Sequence, residues 1–395
     1  MARARDIVHE LSIAARLATR SLRRRLSGGV PPPVSDGEFR ATLQPWLATL
    51  PQGLLAGHAF HRLPGTRPPW FDTNVDLAPG ESITLLADGR VYLSRALDIW
   101  VGPSFQLWCR VGADGPVFRG TRATHSFVTP HGGRLWLASY FPGEWADRSG
   151  RLGTPVDEYA KVSGGLSVLV LRWCPGVDAP AELRRLARDT RAPGLVLAEV
   201  ERLDQPVPVP ESWDYLWYLG PGEIYRSTLA PDGRPAISCH THGDAGILRR
   251  EARWPLASGT MLRWSWKVDE LPVDLPEDTL PSHDYLSIAV EFDDGQDLTY
   301  YWSAALPEGT VYRCPLPTWR DKETHVVVRS GRRDLGRWLD EERDLFADYR
   351  RILGGEAREV VRVWLIANSL FQRGHGRCEY ASIRLANNER TLAVL

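Results

Sequence analysis

Residues 82–93 read SITLLADGRVYL, and the reading of this stretch decides the fold. Apolar and polar side chains alternate, a period of two that lays one face of a β-strand on a core. Ala87-Asp88-Gly89 reads as a turn between two such runs. Outward from it the same pattern continues in FQLWCRVGADGPVF (105–118) and GRLWLASY (133–140), with GADG and HGG as further turns. GLSVLVLRW (165–173) reads as a closing strand. Short strands at this spacing predict an antiparallel sandwich.

The second half repeats the pattern. AISCHTH (236–242), GILRREARW (246–254), TMLRWSWKVDEL (260–271) and DYLSIAVEF (284–292) are strand candidates. So are LTYYWSA (298–304), THVVVRSG (324–331), VVRVWLIAN (360–368) and CEYASIRLA (378–386). One long helix is expected over GRWLDEERDLFADYRRILGG (336–355), where Trp338, Leu345, Phe346, Tyr349, Ile352 and Leu353 share an apolar face and Gly354-Gly355 stops it. Residues 179–204 read as a helix and connector, and QPVPVP (205–210) as a stiff extended joint. The expected architecture is mainly β. It has a basic N-terminal helix and linker (1–40), a jelly-roll-like antiparallel sandwich (41–178), a helical connector (179–205) and a second sandwich carrying the long helix (206–395).

A length of 395 residues suits two domains. The net charge of −1 excludes a chain-wide polyanion binder, so no nucleic-acid partner is expected. The 5 cysteines have no CxxC spacing and imply neither a disulfide framework nor a zinc ribbon, which fits a reducing, cytoplasmic compartment. The 16 tryptophans serve as sandwich core or as stacking platforms for sugar rings. No GxGxxG, P-loop, GxSxG, HExxH or kinase signature is present, which disfavours nucleotide, serine-hydrolase and zincin chemistry.

Near the start, Ile7, Leu11, Ala14, Ala18, Leu22 and Leu26 fall on one helical face, with Arg16, Arg20 and Arg23 to Arg25 around it. The stretch lacks the uninterrupted apolar core of a secretory signal. Such a helix can lie peripherally on an anionic membrane, dock a protein partner, or pack on its own chain.

Two stretches resemble known families. In residues 70–173, TNVDLAPGESITLLADGRV, CRVGADGPVFRG, HSFVTPHGGRLWLASYFPGEWADRSG and GLSVLV occur in the order found in the calcium-dependent galactophilic bacterial lectins (LecA-like), and the resemblance implies a jelly roll. Where those lectins hold calcium with an Asn-Asp and an Asn-Asn pair, this chain has Ser139-Tyr140 and Asp147-Arg148. Calcium needs several hard oxygen ligands, so only Asp147 with backbone carbonyls remains for it, and calcium is not expected. Residues 206–385 are similar to domain-of-unknown-function family 3047 through LRWSWKVDELP, DYLSIAVEFDD, LTYYWS, CPLP, VVVRSG and RWLDEERDLFADYRRILG, followed by VWLIANS and YASIRLA. That resemblance implies a β-sandwich-like fold and no particular reaction. An aspartate-rich stretch usual in that family is replaced here by NSLFQRGHG (368–376).

Three sets of residues are candidates for chemistry. In SCHTHGD (238–244), His240 and His242 lie on one strand face and Asp244 follows a glycine, a two-histidine, one-carboxylate set suited to divalent iron or zinc. His283 or His325 would supply a further ligand; the competing reading is an exposed strand end. Lys267, Asp284, Glu342 and Arg343 would form an acid–base pocket if they converge, and otherwise a structural ion network. Trp100, Trp145, Asp147, Tyr301 and Trp302 are the candidate ligand-binding residues. The leading expectation is binding of a glycan or glycan-like small molecule. The alternatives are an enzyme, metal-assisted or acid–base, with its active site in the C-terminal domain, and a membrane- or partner-associated scaffold.

Overall fold

The computed structural model describes residues 2–26, 32–67, 70–141 and 145–395. The chain forms two compact units, one of residues 17–206 with Trp217–Pro221, the other of residues 1–16, 207–216 and 222–395.

The N-terminal unit carries α2 (Asp36–Leu47), which follows the long helix α1 (Ala2–Leu26). Ser35 and Glu38 form a reciprocal capping box that starts α2. Eight strands follow, β1 (Leu55–Pro64), β2 (Trp70–Leu77), β3 (Ser82–Ser94), β4 (Ile99–Val101), β5 (Leu107–Val111), β6 (Thr124–Val128), β7 (Gly133–Ser139) and β8 (Ser163–Trp173). A single turn, α3 (Pro103–Gln106), lies between β4 and β5. One sheet runs β1-β8-β3-β4 with β6 on β3, and the other runs β2-β7-β5, every pair antiparallel. Phe39, Leu43 and Trp46 of α2 share a core with Leu169, Leu171 and Trp173. Leu183 of α4 (Ala179–Leu186) and Val196 of α5 (Gly194–Asp204) enter the same core, so this segment is built into the unit.

One expected turn is not a turn. Residues 87–89 lie inside the continuous 13-residue strand β3. Gly89 has φ of 122°, and a Cβ there would sit 2.4 Å from the Gly165 carbonyl oxygen. The glycine serves a close approach of two backbones rather than a change of direction.

The C-terminal unit adds β9 (Asp214–Tyr215), β10 (Tyr225–Leu229), β11 (Pro235–His242), β12 (Ala245–Pro255), β13 (Met261–Glu270), β14 (Tyr285–Phe292) and β15 (Asp297–Ser303). After them come β16 (Val311–Arg313), β17 (Glu323–Ser330), β18 (Leu339–Asp344), β19 (Glu359–Asn368), β20 (His375–Ala386) and β21 (Thr391–Ala393). One sheet runs β10-β11-β20-β13-β18 with β21 on β20; the second runs β16-β17-β15-β14-β19-β12-β9. Only β15 and β17 pair in parallel among the described pairs. Trp264 and Trp266 from one sheet and Ile288, Tyr300, Trp302 and Leu365 from the other belong to one buried core, which makes a sandwich.

The long helix expected over 336–355 is corrected. Residues 339–344 form the edge strand β18 on β13, and helix begins only at Leu345, as α6 (Leu345–Asp348) continuing into a π turn to Leu353. Ser265, Arg263 and Trp266 of β13 bond Asp340, Glu342 and Glu341, so a specific cross-strand ladder overrides helical propensity. The Asp344 carboxylate caps the short helix by accepting from the Ala347 amide at 2.9 Å, and Gly354 ends it at φ 70°.

Candidate metal centre

The seven-stranded sheet brings four side chains together that lie up to 42 positions apart. Glu323 and His325 alternate at the start of β17 and so point to one face. The β16–β17 hairpin returns Cys314 beside them, its amide donating to the Glu323 carbonyl at 3.0 Å. His283 precedes β14, held by Asn368, whose side-chain amide donates to its carbonyl at 2.7 Å. One ligand atom from each of His283, Cys314, Glu323 and His325 lies within 4.8 Å of the others, and all four side chains are buried.

Two of the spacings are those of co-ligands. His283 Nε2 is 3.4 Å from Cys314 Sγ, and His325 Nε2 is 3.4 Å from Glu323 Oε1. Donors on a tetrahedral ion with bonds of about 2.0–2.3 Å lie about 3.3–3.6 Å apart. His283 Nδ1 is 2.7 Å from the Glu277 carbonyl oxygen. A carbonyl only accepts, so Nδ1 carries the proton and Nε2 turns its lone pair toward the cluster, the arrangement in which metal-binding imidazoles are oriented. Both ring nitrogens of His325 are buried and have no hydrogen-bond partner. A buried imidazole that makes no hydrogen bond is costly, and here Nε2 meets only the Glu323 carboxylate, at 3.4 Å.

The electrostatics agree with the geometry. Burial, and then the adjacent His325, push His283 down to about 3, so it is neutral. Burial raises the Cys314 thiol, with the Glu323 charge adding to the shift. Burial would also raise Glu323, but the facing His325 and His283 outweigh it and hold this carboxyl below its ordinary range. Its Oε1 accepts from Tyr285 Oη at 3.0 Å and Thr299 Oγ1 at 3.1 Å. Glu323 as carboxylate and Cys314, once a metal displaces its proton, as thiolate would carry two negative charges, which a divalent cation would balance. The buried set of one sulfur, two nitrogens and one oxygen suits zinc better than calcium or magnesium.

The set expected at 238–244 does not form. The Asp244 carboxylate accepts from Thr241 Oγ1 and, at 2.8 Å, from the His242 amide, so it closes its own turn past Gly243. What β11 and β20 bring together instead is an exposed row of imidazoles. His242 stacks on His375 at 3.8 Å, and His240 Nε2 lies 3.3 Å from His375 Nδ1. His283 and His325 belong to the buried cluster.

The acid–base set does not converge either. Lys267 pairs with Glu379 at 2.5 Å and Asp269 at 3.3 Å. Asp284 accepts from the Phe371 and Gln372 amides. Glu342 pairs with Arg263, and Arg343, alternating to the other face of β18, forms a fork with Asp348. Each is committed to a different structural partner.

The ligand-binding candidates are mostly inside. Tyr301 and Trp302 lie in a strand buried at every position because β15 is central in its sheet, and the Trp302 indole donates to the Gly331 carbonyl at 2.8 Å. Trp145 is buried, stacked on Trp70 at 5.2 Å. Trp100 is half-buried beneath the Arg90 guanidinium. Asp147 is held at about 2 by Ser149 and Arg151. A cleft of about 370 Å³ does open in the N-terminal unit, lined by Arg62, Pro64, Arg67, Trp70, Phe71 and Ser139.

Cys314 and Glu323 escaped the sequence reading. The signal for them, Glu-x-His nine residues after a cysteine, is too short to stand out without the hairpin that folds it.

The family model for a protein of unknown function (DUF3047) matches residues 220–384, the segment in which that resemblance is read from the motifs. No curated protein matches the chain in sequence. Among solved structures, the EclA N-terminal domain, a PllA-like lectin, is 21% identical over 31% of this chain and 99% of its own, with a TM-score of 0.23. The xyloglucanase domain of NopAA, a type three effector from Sinorhizobium fredii in complex with cellobiose, is 12% identical over 47% of this chain and 99% of its own, at 0.29. TmCBM61 in complex with β-1,4-galactotriose is 9% identical over 45% and 90%, at 0.22. Likenesses at these scores carry no argument about ligand or reaction.

Proposed function

We propose that the C-terminal sandwich is a metal-binding domain whose divalent ion, zinc by its ligand chemistry, is held by His283, Cys314, Glu323 and His325. The observation that carries this reading is His325, fully buried with neither ring nitrogen hydrogen-bonded and clustered with a thiol, an imidazole and a carboxylate. Four protein ligands leave no open position, so the ion is structural. It ties the β16–β17 hairpin to the segment entering β14, as closed tetrahedral sites do. Elemental analysis of chelator-free protein tests it. Near-stoichiometric zinc is expected in the natural chain and loss of it in His325→Ala and Cys314→Ser. Full occupancy in both variants, or metal-free natural protein that zinc does not stabilise, refutes it.

A second reading concerns the N-terminal unit. The cleft has the volume of a small-molecule site, with the 38% exposed Phe71 and two arginines among its lining. That lining suits a glycan or similarly hydroxylated small molecule. Trp70 offers only an edge, since Trp145 and the Arg110 guanidinium at 4.2 Å cover its ring. Glycan-array binding that is lost in Phe71→Ala supports this reading; an array with no binders, or binding unchanged in that variant, ends it.

A further inference from the structure

The helix α1 presents two apolar faces. At 100° per residue, Leu11, Leu22 and Leu26 fall within a 60° sector. Ile13 and Leu17 lie about 200–240° around the helix from Leu11. The second pair is buried, at 2% and 3% exposure. The first three are 64%, 58% and 79% exposed. Ala15 and Ala18, also exposed, continue the open stripe between them.

Charge indicates what covers it. Residues 2–26 contain seven arginines against one aspartate and one glutamate, and both acids precede Leu11. Arg16 and Arg23 fall about 120–140° from Leu11 on the wheel, at the border of the open stripe. No helix among the described residues is long and apolar enough to cross a bilayer. A basic helix with leucines on one side and no spanning stretch fits the interfacial region of an anionic membrane, leucines among acyl chains and guanidinium groups among phosphates.

We infer that α1 docks the protein in the plane of an anionic lipid surface through Leu11, Leu22 and Leu26, with Arg16 and Arg23 binding headgroup phosphates. The inference is independent of the metal centre and of the cleft.

Cosedimentation of the full chain with phosphatidylcholine vesicles, with and without phosphatidylglycerol, tests it. Binding is expected only with phosphatidylglycerol and falls as salt is raised. Each arginine near an anionic surface contributes about fivefold, so Arg16→Gln/Arg23→Gln weakens partitioning about 25-fold. Leu22→Asp/Leu26→Asp abolishes it. These positions are exposed, so an unchanged melting temperature separates loss of docking from loss of fold. Equal binding to both vesicle types, or none to either, overturns the inference. So does light scattering in which the leucine variant turns a dimer into a monomer, because the stripe would then join two copies of the chain.

Discussion

Removal of the metal should unfold the C-terminal unit at a much lower temperature. With the ion in place, the charges of Glu323 and the Cys314 thiolate are matched and the two imidazoles are neutral. Chelation lets Cys314 take up a proton, since burial favours the neutral thiol. Glu323 is left 2% exposed, its ionised form supported only by Tyr285, Thr299 and a neighbouring imidazole. Chelation also removes the ion that ties the β16–β17 hairpin to the segment entering β14, and taking one partner from a buried charged set costs about 3–5 kcal/mol. For a unit of this size each kcal/mol shifts the midpoint by about 2–4 °C, so the melting temperature should fall by roughly 6–20 °C. Differential scanning calorimetry of zinc-loaded and chelator-treated protein, each with measured metal content, gives the result. The transition of the N-terminal unit serves as an internal reference that should not move. Identical C-terminal transitions at full and zero occupancy would refute the charge argument and the centre with it.

His240→Ala/His242→Ala should leave metal content unchanged, because the imidazole row on β11 and β20 is separate from the buried cluster; loss of the ion in this variant would relocate the centre. In the N-terminal unit, His125, faced by Arg202 and Glu199, is pushed down to about 4 by burial. Its unfolded form takes up a proton below about 6.5, so the unfolded state holds more protons between these values and stability falls as pH drops through that window. The loss is on the order of 3 kcal/mol by pH 4, and His125→Asn should flatten the pH dependence of the urea midpoint. Gly89→Ala should cost more than about 2 kcal/mol, since its Cβ would collide with the Gly165 carbonyl. Gly176→Ala, at φ 81° with open space around it, should cost about 1 kcal/mol by the same denaturation.

The strands were legible because their signal is local. Period-two alternation in TMLRWSWKVDEL is enforced by the pleat itself, and the aromatic-rich LTYYWSA is a strand buried on both faces. Residues 336–355 misled because their apolar spacing suits a helix, while β13 offered an edge with Arg263, Ser265 and Trp266 ready to bond Glu342, Asp340 and Glu341. Ala87-Asp88-Gly89 misled in a related way. A glycine marks a backbone need, and the sequence does not say whether that need is a turn or a close neighbour.

By itself the sequence determined the mainly β composition, the strand positions and the amphipathic basic helix, because each follows from spacing along the chain. Tertiary structure decided which histidines matter. His240 and His242 share a strand face and look like a pair, yet Asp244 turns away to cap its own loop. His283, Cys314, Glu323 and His325 share no local pattern. They meet because the β16–β17 hairpin and the parallel β15–β17 pairing fold them onto one buried face. Ligation depends on distance in space, and only pairing between strands sets that distance.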